Sequence, residues 1–572
     1  MSQWTNAFPL SELSVGGARL FKRGHDQVAV FRTTADELHA VDNRCPHEGY
    51  PLTEGALDGC TLTCCWHNFK FDLRTGSCLK GDEDVRTFPV RIAGDRVELD
   101  LTPPDPSKSI ERLWTSLEDG LHNRRVGQCT RDGARLILAG VEPAEIAAFV
   151  AAFNGVRAEY GSTHVLAVAA DVLQWHPHYP GPRFAIPLAQ LFDLASRDGV
   201  RRPIRPAASP VDPGDDAVAA GVALRKAVEA EDADRAEALL LGALERGWQR
   251  TELEPWFFAL CADHFLSFGH RLIYQIKVFD LLDAAGRTHA APILRGHLFG
   301  IVSGTREDVL PAWRSFRTHL AKLDLAALYA SAGGDPSWEG GELVETLLVG
   351  RPADAMSALT RALSEGAPLE AVIDAISVAA AERMLRFDVS IDSDPSNQDN
   401  WLSVTHIQTF ANAVRHAAER FDHPDLLRMV FHAARFVNHH RVLDCREPPT
   451  PIVAAPTPDV KVALAAILSG RTDEALSQCL AVIEEAPLLE ALRHQLMDVA
   501  ISDRFAAPIV SAHAMKNLVV AFEEYAVMGD PRSVLAVVRL LSSPVQQRWT
   551  HRGALEAVAF VTEGKTPTLL AP

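Results

Sequence analysis

The strongest constraint on the fold of this chain is an abrupt change of pattern at residues 102–107. Before the Pro-rich joint Thr102-Pro-Pro-Asp-Pro-Ser107 the sequence reads as short strands. Gln27-Val-Ala-Val-Phe31, Leu62-Thr-Cys64, Phe88-Pro-Val-Arg-Ile92 and Arg96-Val-Glu-Leu99 are separated by Gly, Asp and Asn turns. The joint itself is expected to be extended, because each Pro disfavours helix in the residue before it. From about residue 110 onward, Ala, Leu, Arg and Glu dominate and apolar residues recur at helical spacing, as in 217–242, 260–285, 343–366, 404–421, 460–469 and 513–528. Breakers fall at 202–216, 333–341, 392–400 and 446–459. A single layer cannot satisfy both periods. The sequence therefore predicts a multidomain protein: a small all-β domain over 1–104 and a large, mostly α-helical domain over 105–572, with a candidate internal boundary near 202–216. The helical part shows no fixed repeat that would make it a solenoid.

Composition narrows the function classes. Of 572 residues, 47% are hydrophobic, enough for a large core. The 56 basic and 74 acidic residues leave a net charge of −18, which opposes a phosphate backbone and argues against a nucleic-acid partner. There is no long apolar span, and the opening MSQWTNAFPL lacks a basic segment followed by an apolar one. The expectation is a cytoplasmic chain without a membrane segment. Of nine cysteines, Cys45, Cys60, Cys64, Cys65 and Cys78 crowd together. In a cytoplasmic chain, that crowding favours metal over disulfides.

The spacing around those cysteines is specific. Cys45-Pro46-His47 is followed by Cys64-Cys65-Trp66-His67. Two short loops, each with one thiolate and one imidazole, suit a [2Fe–2S] cluster with Cys on one iron and His on the other. Zinc also accepts such a ligand set. The flanking Pro51-Leu-Thr-Glu-Gly55, Trp66-His-Asn-Phe-Lys-Phe-Asp72 and Thr75-Gly76 decide against zinc, because over residues 10–100 they resemble the Rieske ferredoxin family. The resemblance implies that Cys45 and Cys64 hold the buried iron and that His47 and His67 hold the outer one. Respiratory Rieske proteins carry an extra disulfide-bonded Cys in each loop. Here Tyr50 stands at that first-loop position and Cys65 directly follows Cys64. That departure implies the lower-potential ferredoxin and oxygenase type. Cys60 and Cys78 read as small apolar residues.

The helical part carries most of the 22 histidines. His289, His319, His423, His494 and His551 have polar surroundings and ordinary readings. His439 and His440 are adjacent, so on a helix they point about 100° apart. Four others each open or enter an apolar helix: His164 in Ser162-Thr-His-Val-Leu, His270 in Phe268-Gly-His-Arg-Leu-Ile-Tyr, His406 in Ser403-Val-Thr-His-Ile-Gln, and His513 in Ser511-Ala-His-Ala-Met-Lys-Asn. One such His is usually a core residue, whereas four converging from separate helices are how metal sites are built within bundles. These segments, with GHRLIY and HAMKNL closest, resemble the questin oxidase-like family. The resemblance implies oxygenolytic opening of anthraquinone-type rings at a mononuclear non-haem iron held by four His and a carboxylated Lys. His164, His270, His406 and His513 are then the ligands. His264 rivals His270 from six residues earlier, about 120° around the same helix. Lysine is scarce beside arginine, and Lys461, in Pro458-Asp-Val-Lys-Val-Ala, is the expected carbamate carrier. Lys516 and Lys277 have ordinary readings as supporting or snorkelling residues.

The sequence therefore predicts a Rieske-dependent non-haem iron oxygenase for a hydrophobic, polycyclic aromatic substrate and O₂. It carries a [2Fe–2S] cluster and mononuclear Fe(II), and is fed by an external reductase or ferredoxin, as a monomer or homo-oligomer. No GxGxxG follows a strand, so no nucleotide or flavin site is expected. Two alternatives stand. One is a Rieske electron carrier or redox sensor on a helical interaction scaffold. The other is a conventional Rieske oxygenase with a 2-His-1-carboxylate iron, which Asp263-His264…His270 imitates.

Overall fold

The computed structural model describes residues 4–544 apart from 25, 48, 82, 103–105, 395–398, 448–449, 503 and 506, together with the backbone alone of 106–108. His25 and His551 lie outside the described residues. The chain forms two compact units, Met1–Gly120 with Gly127–Ala139, and Leu121–Val126 with Gly140–Pro572. The expected change from strands to helices is present, the last strand being Arg96–Asp100 and the first helix Pro106–His122, while the first compact unit extends beyond the strands. The Val126–Leu138 helix and most of Pro106–His122 belong to the first unit. Arg131 on that helix pairs with Glu83 at 2.6 Å, and Ser116 donates to Asp132 at 2.6 Å. No boundary appears near 202–216. That segment runs over the helices, held by the backbone bonds Arg205 N–Val156 O and Val211 N–Ala238 O.

The first unit is built on three small antiparallel sheets. Trp4–Pro9 pairs with Arg96–Asp100, which pairs with Val90–Ala93. Ala18–Arg23, Asp26–Arg32, Leu38–Asp42 and Thr87–Phe88 form the second sheet. Ala56–Asp58, Thr61–Thr63, Lys70–Asp72 and Cys78–Lys80 form the third. The predicted run 88–92 is two strands, because Pro89 has no N–H to give to a ladder. The Asp26–Arg32 strand divides two cores by its period of two. Val28 and Val30 face Phe8, Ala40, Val97 and Leu99. Ala29 and Phe31 face Leu52, Leu62, Phe71 and the cysteines Cys45 and Cys64. The cysteine pair thus packs in the core on the Ala29–Phe31 side of a central strand.

In the second unit, helices replace strands; among the described residues only isolated bridges, Leu266–Arg306 and Phe387–Asp444, occur there. Several predicted runs are split by turns that the helical period does not register. The 217–242 run becomes Ala217–Glu229 and Ala233–Glu245, with Glu231 in the left-handed region and Asp232 capping the second helix through Arg235 N. The 260–285 run becomes Arg250–Asp263 and His270–Ala285. Four helices form a ring of neighbours: His164–Asp171 packs on His270–Ala285 and on Pro508–Met528, and Trp401–Arg420 packs on the same two. No described helix is long and apolar enough to cross a membrane.

The break at 264–269 sets the start of the His270 helix. Ser267, Phe268 and Gly269 have φ of 51°, 56° and 78°. The segment 305–308 holds this loop: Ser267 N donates to Thr305 O at 2.9 Å, Phe268 N to Glu307 Oε1 at 2.7 Å and Phe265 N to Asp308 Oδ1 at 3.1 Å. A Cβ on Gly269 would lie inside van der Waals contact of the Phe410 ring, one turn after His406. Gly269→Ala is therefore expected to cost on the order of 1–3 kcal/mol, from the left-handed φ and the clash. Thermal unfolding monitored at 222 nm checks this; an unchanged midpoint would contradict the account.

Candidate metal centres

The first site is formed by two loops of matching construction. Cys45 follows the Leu38–Asp42 strand, and Cys64 follows Thr61–Thr63. In each loop the Cys carbonyl accepts from the residue four positions on: Gly49 N at 2.7 Å in one, Asn68 N at 3.1 Å in the other. Each Cys N–H donates across its loop, to Tyr50 O at 2.9 Å and to Phe69 O at 2.8 Å. Gly49 and Asn68 take the positive φ that the tight return requires. Both Cys side chains are buried, while His67 is exposed and His47 half-buried. The two Nδ1 atoms lie 3.1 Å apart with the rings nearly perpendicular, and His47 stacks on Phe69 at 4.7 Å. Buried thiols beneath two converging imidazole nitrogens form the asymmetric donor set that a Cys₂His₂ [2Fe–2S] cluster takes. Cys65 is exposed, its thiol donating to Glu54 O at 3.2 Å, and Cys78 packs against the core.

The second site lies within the helical unit. His164, His270, His406 and His513 each present one ring nitrogen within 4.8 Å of all the others. The Nε2–Nε2 separations are 2.9 Å for His164–His270, 2.8 Å for His270–His406 and 3.0 Å for His406–His513. The Nδ1 side shows why these nitrogens face inward. Nδ1 of His406 contacts Leu402 O at 2.5 Å, that of His513 contacts Ile509 O at 2.6 Å, and that of His270 contacts Ser267 O. A carbonyl only accepts, so each of these Nδ1 atoms carries the proton and its Nε2 presents a bare lone pair. Burial, and next the nearby Lys516, holds His164 and His513 neutral well below the usual imidazole range. His270 is pushed down to about 3 by the same causes. For His406, burial is followed by its histidine neighbours. Neutral lone pairs at such separations repel, and a cation between them removes the repulsion. Four neutral imidazole nitrogens converging in this way form a donor set suited to a transition-metal ion.

The lysines divide differently from the sequence reading. Lys461 is exposed in the first turn of Val460–Leu468, so this side chain is no part of a buried site. Lys277 is ion-paired with Asp171 at 2.9 Å. Lys516 is 1% exposed and its Nζ has no hydrogen-bond partner among the described residues, and burial pushes its amine down to about 7. It lies three residues after His513, on the same helix face, which is the signal that would have found it. His264 is outside the group, bound between Asp308 at 3.0 Å and Glu229 at 3.3 Å, and Asp263 is paired with Arg225. The 2-His-1-carboxylate reading of Asp263, His264 and His270 is thereby removed. His440 is also separate, its Nδ1 donating to Phe436 O at 3.0 Å.

A cavity of about 390 Å³ opens beside the group and is lined by His164 and His270 together with Tyr160, Asp198, Arg271 and Tyr274. His164 and His270 are half-buried whereas His406 and His513 are buried, so the histidine group is approached from the His164–His270 side. The sequence reading did not find Arg271, Tyr274 or this cavity.

Residues 3–89 match the Rieske [2Fe-2S] domain family. The chain is 30% identical over 102 residues to the ferredoxin component of the naphthalene 1,2-dioxygenase system of Pseudomonas aeruginosa, covering 18% of this chain and 97% of that protein. It is 36% identical over 92 residues to the 4beta-methylsterol monooxygenase of Methylococcus capsulatus; the match covers 14% of this chain and spans only about a quarter (24%) of that relative. Among solved structures, the ferredoxin of carbazole 1,9a-dioxygenase from Nocardioides aromaticivorans IC177 is 27% identical, over 18% of this chain and 100% of that one, with a TM-score of 0.17. These matches lie in the first domain. Through that N-terminal domain, with its two Cys–His loops, the chain belongs to the Rieske [2Fe-2S] family.

Proposed function

We propose that the chain is a Rieske-dependent non-haem iron oxygenase acting on an aromatic substrate, with His164, His270, His406 and His513 holding a mononuclear iron. The single observation that carries this reading is the inward convergence of four neutral imidazole nitrogens, three of them fixed by bonds to backbone carbonyls. Cys45, His47, Cys64 and His67 would hold the cluster. When bound, the cluster supplies electrons one at a time and the iron a reducible centre for O₂. An external reductase or ferredoxin supplies the electrons.

The remaining residues have roles that follow from their positions. The carbonyls of Ser267, Leu402 and Ile509 hold three imidazoles in one tautomer. Buried Lys516 takes the place expected of Lys461. Its neutral amine adds to CO₂, forming an N–C bond and releasing one proton, and the resulting carbamate gives the site the anionic oxygen that its histidines lack. Tyr274, buried against His164 and His270 at ring distances of 6.1 and 5.5 Å, supplies an apolar wall that excludes water.

Purified protein should contain three Fe per two inorganic sulfides. His406→Ala should lose the third iron with the Rieske visible and EPR signature intact, and O₂ consumption should fall by more than the roughly 10–100-fold that loss of a supporting partner costs. Two Fe per two sulfides in the parent protein would instead favour an electron carrier on a helical scaffold.

Lys516 makes a pH-dependent case. Its amine is neutral above about 7, so carbamate formation in metal-free protein should rise with pH through that value. Iron loading in bicarbonate should therefore increase between about pH 6 and 8. Lys516→Met should abolish both the dependence and the carbamate signal from ¹³C-bicarbonate. A carbamate that survives in Lys516→Met would refute the assignment.

A further inference from the structure

The cavity beside the histidines carries an unanswered positive charge, and that charge bears on what the cavity binds. Two other arginines of the lining have carboxylate partners: Arg197 bonds Asp193 at 2.9 Å and Arg202 bonds Glu159 at 3.0 Å. Arg271 has none within ion-pair reach among the described residues. It is 7% exposed. Its Nη1 donates to Ser162 O at 2.9 Å and its Nη2 to Tyr160 O at 3.4 Å, both backbone carbonyls, and its buried Nε has no acceptor among the described residues. Asp198, the remaining carboxylate of the lining, is engaged by the Thr163 hydroxyl at 2.6 Å. A guanidinium taken out of water without a counter-ion is costly, and such a group in a cleft is a candidate for a functional role.

Position adds to the charge. Arg271 directly follows the metal-ligand candidate His270 and lies 5.8 Å from the centroid of the Tyr274 ring. The cavity's volume is within the ordinary range for small-molecule sites. Tyr274 lines the cavity with a flat ring, and Arg271, whose Nη1 and Nη2 each keep a hydrogen beyond those given to Ser162 and Tyr160, offers a charged donor for an oxyanion.

We propose that this cavity binds its aromatic substrate through an anionic oxygen, a carboxylate or a phenolate, paired with Arg271, with the ring against Tyr274 and directed at His164 and His270. This rests on the oxygenase reading and replaces a purely hydrophobic substrate with an acidic aromatic one. Tyr160, whose carbonyl Arg271 holds, is 63% exposed and lines the same cavity, so the loop that admits the ligand is fixed by the residue that pairs with it.

The test is anaerobic calorimetric titration of the full-length, iron-loaded protein with 2-naphthoate against 2-naphthamide, and with 4-nitro-1-naphtholate against 1-nitronaphthalene. At least one anion should bind about tenfold tighter than its neutral isostere, the effect of one charge-assisted hydrogen bond. The pair that shows the preference identifies the oxygen as carboxylate or phenolate. Arg271→Gln should bring the two members of that pair within twofold, and Arg271→Lys should retain a preference. If neither anion exceeds its neutral partner in the parent protein, the proposal is overturned, whatever the variants do. A preference that persists in folded Arg271→Gln overturns it as well. Iron content of the same samples reads the oxygenase proposal separately, because the charge of Arg271 does not depend on iron.

Discussion

The helical unit depends on one electrostatic constraint: four imidazole lone pairs meet in a buried space. Hydrogen bonds to the carbonyls of Ser267, Leu402 and Ile509 put the proton on the outer nitrogen of three rings. Burial prevents the rings from resolving their repulsion by protonation. The four helices that carry them pack as neighbours, so they cannot separate without losing core. A cation among the four nitrogens would satisfy the arrangement, which is the basis of the metal site proposed above. The left-handed turn at 267–269 sets the start of the His270 helix, and 305–308 clamps that turn. Lys516 is buried near the same rings, and its Nζ has no hydrogen-bond partner among the described residues.

The first domain obeys the opposite logic. Cys45 and Cys64 are buried, while His67 is exposed and His47 half-buried, so the donor set is asymmetric between core and solvent. The alternation of the Asp26–Arg32 strand produces this asymmetry, placing Cys45 and Cys64 on one of two separate cores. An electron-transfer group needs this combination of a rigid buried half and an accessible half.

Much of this was legible in the sequence because the signals are local. Cys45-Pro-His47 and Cys64-Cys-Trp-His67 are short loops whose spacing suits a metal, and the flanking segments that resemble the Rieske ferredoxin family single out the cluster. His164, His270, His406 and His513 stood out because each enters an apolar helix. What failed was long-range or geometric. Lys461 was favoured for its apolar helix, but position in the first turn exposes it, and Lys516 is separated from it only by which face its helix buries. The break between Asp263 and His270 was invisible to the helical period, since left-handed φ at Ser267 and Phe268 has no signature in residue type. That Glu83–Arg131 ties a helix to the β strands across 48 positions is a long-range contact the sequence pattern does not register. Arg271 looked like one arginine among many, because the absence of a counter-ion exists only in three dimensions.

The measurement that bears most directly on the central claim is anomalous diffraction from a crystal of the full-length protein, with data on both sides of the iron edge. The account predicts two iron peaks between Cys45, His47, Cys64 and His67, and a third among the Nε2 atoms of His164, His270, His406 and His513. A difference map with no iron peak among those four nitrogens, or with scattering there that appears only at the zinc edge, would contradict it.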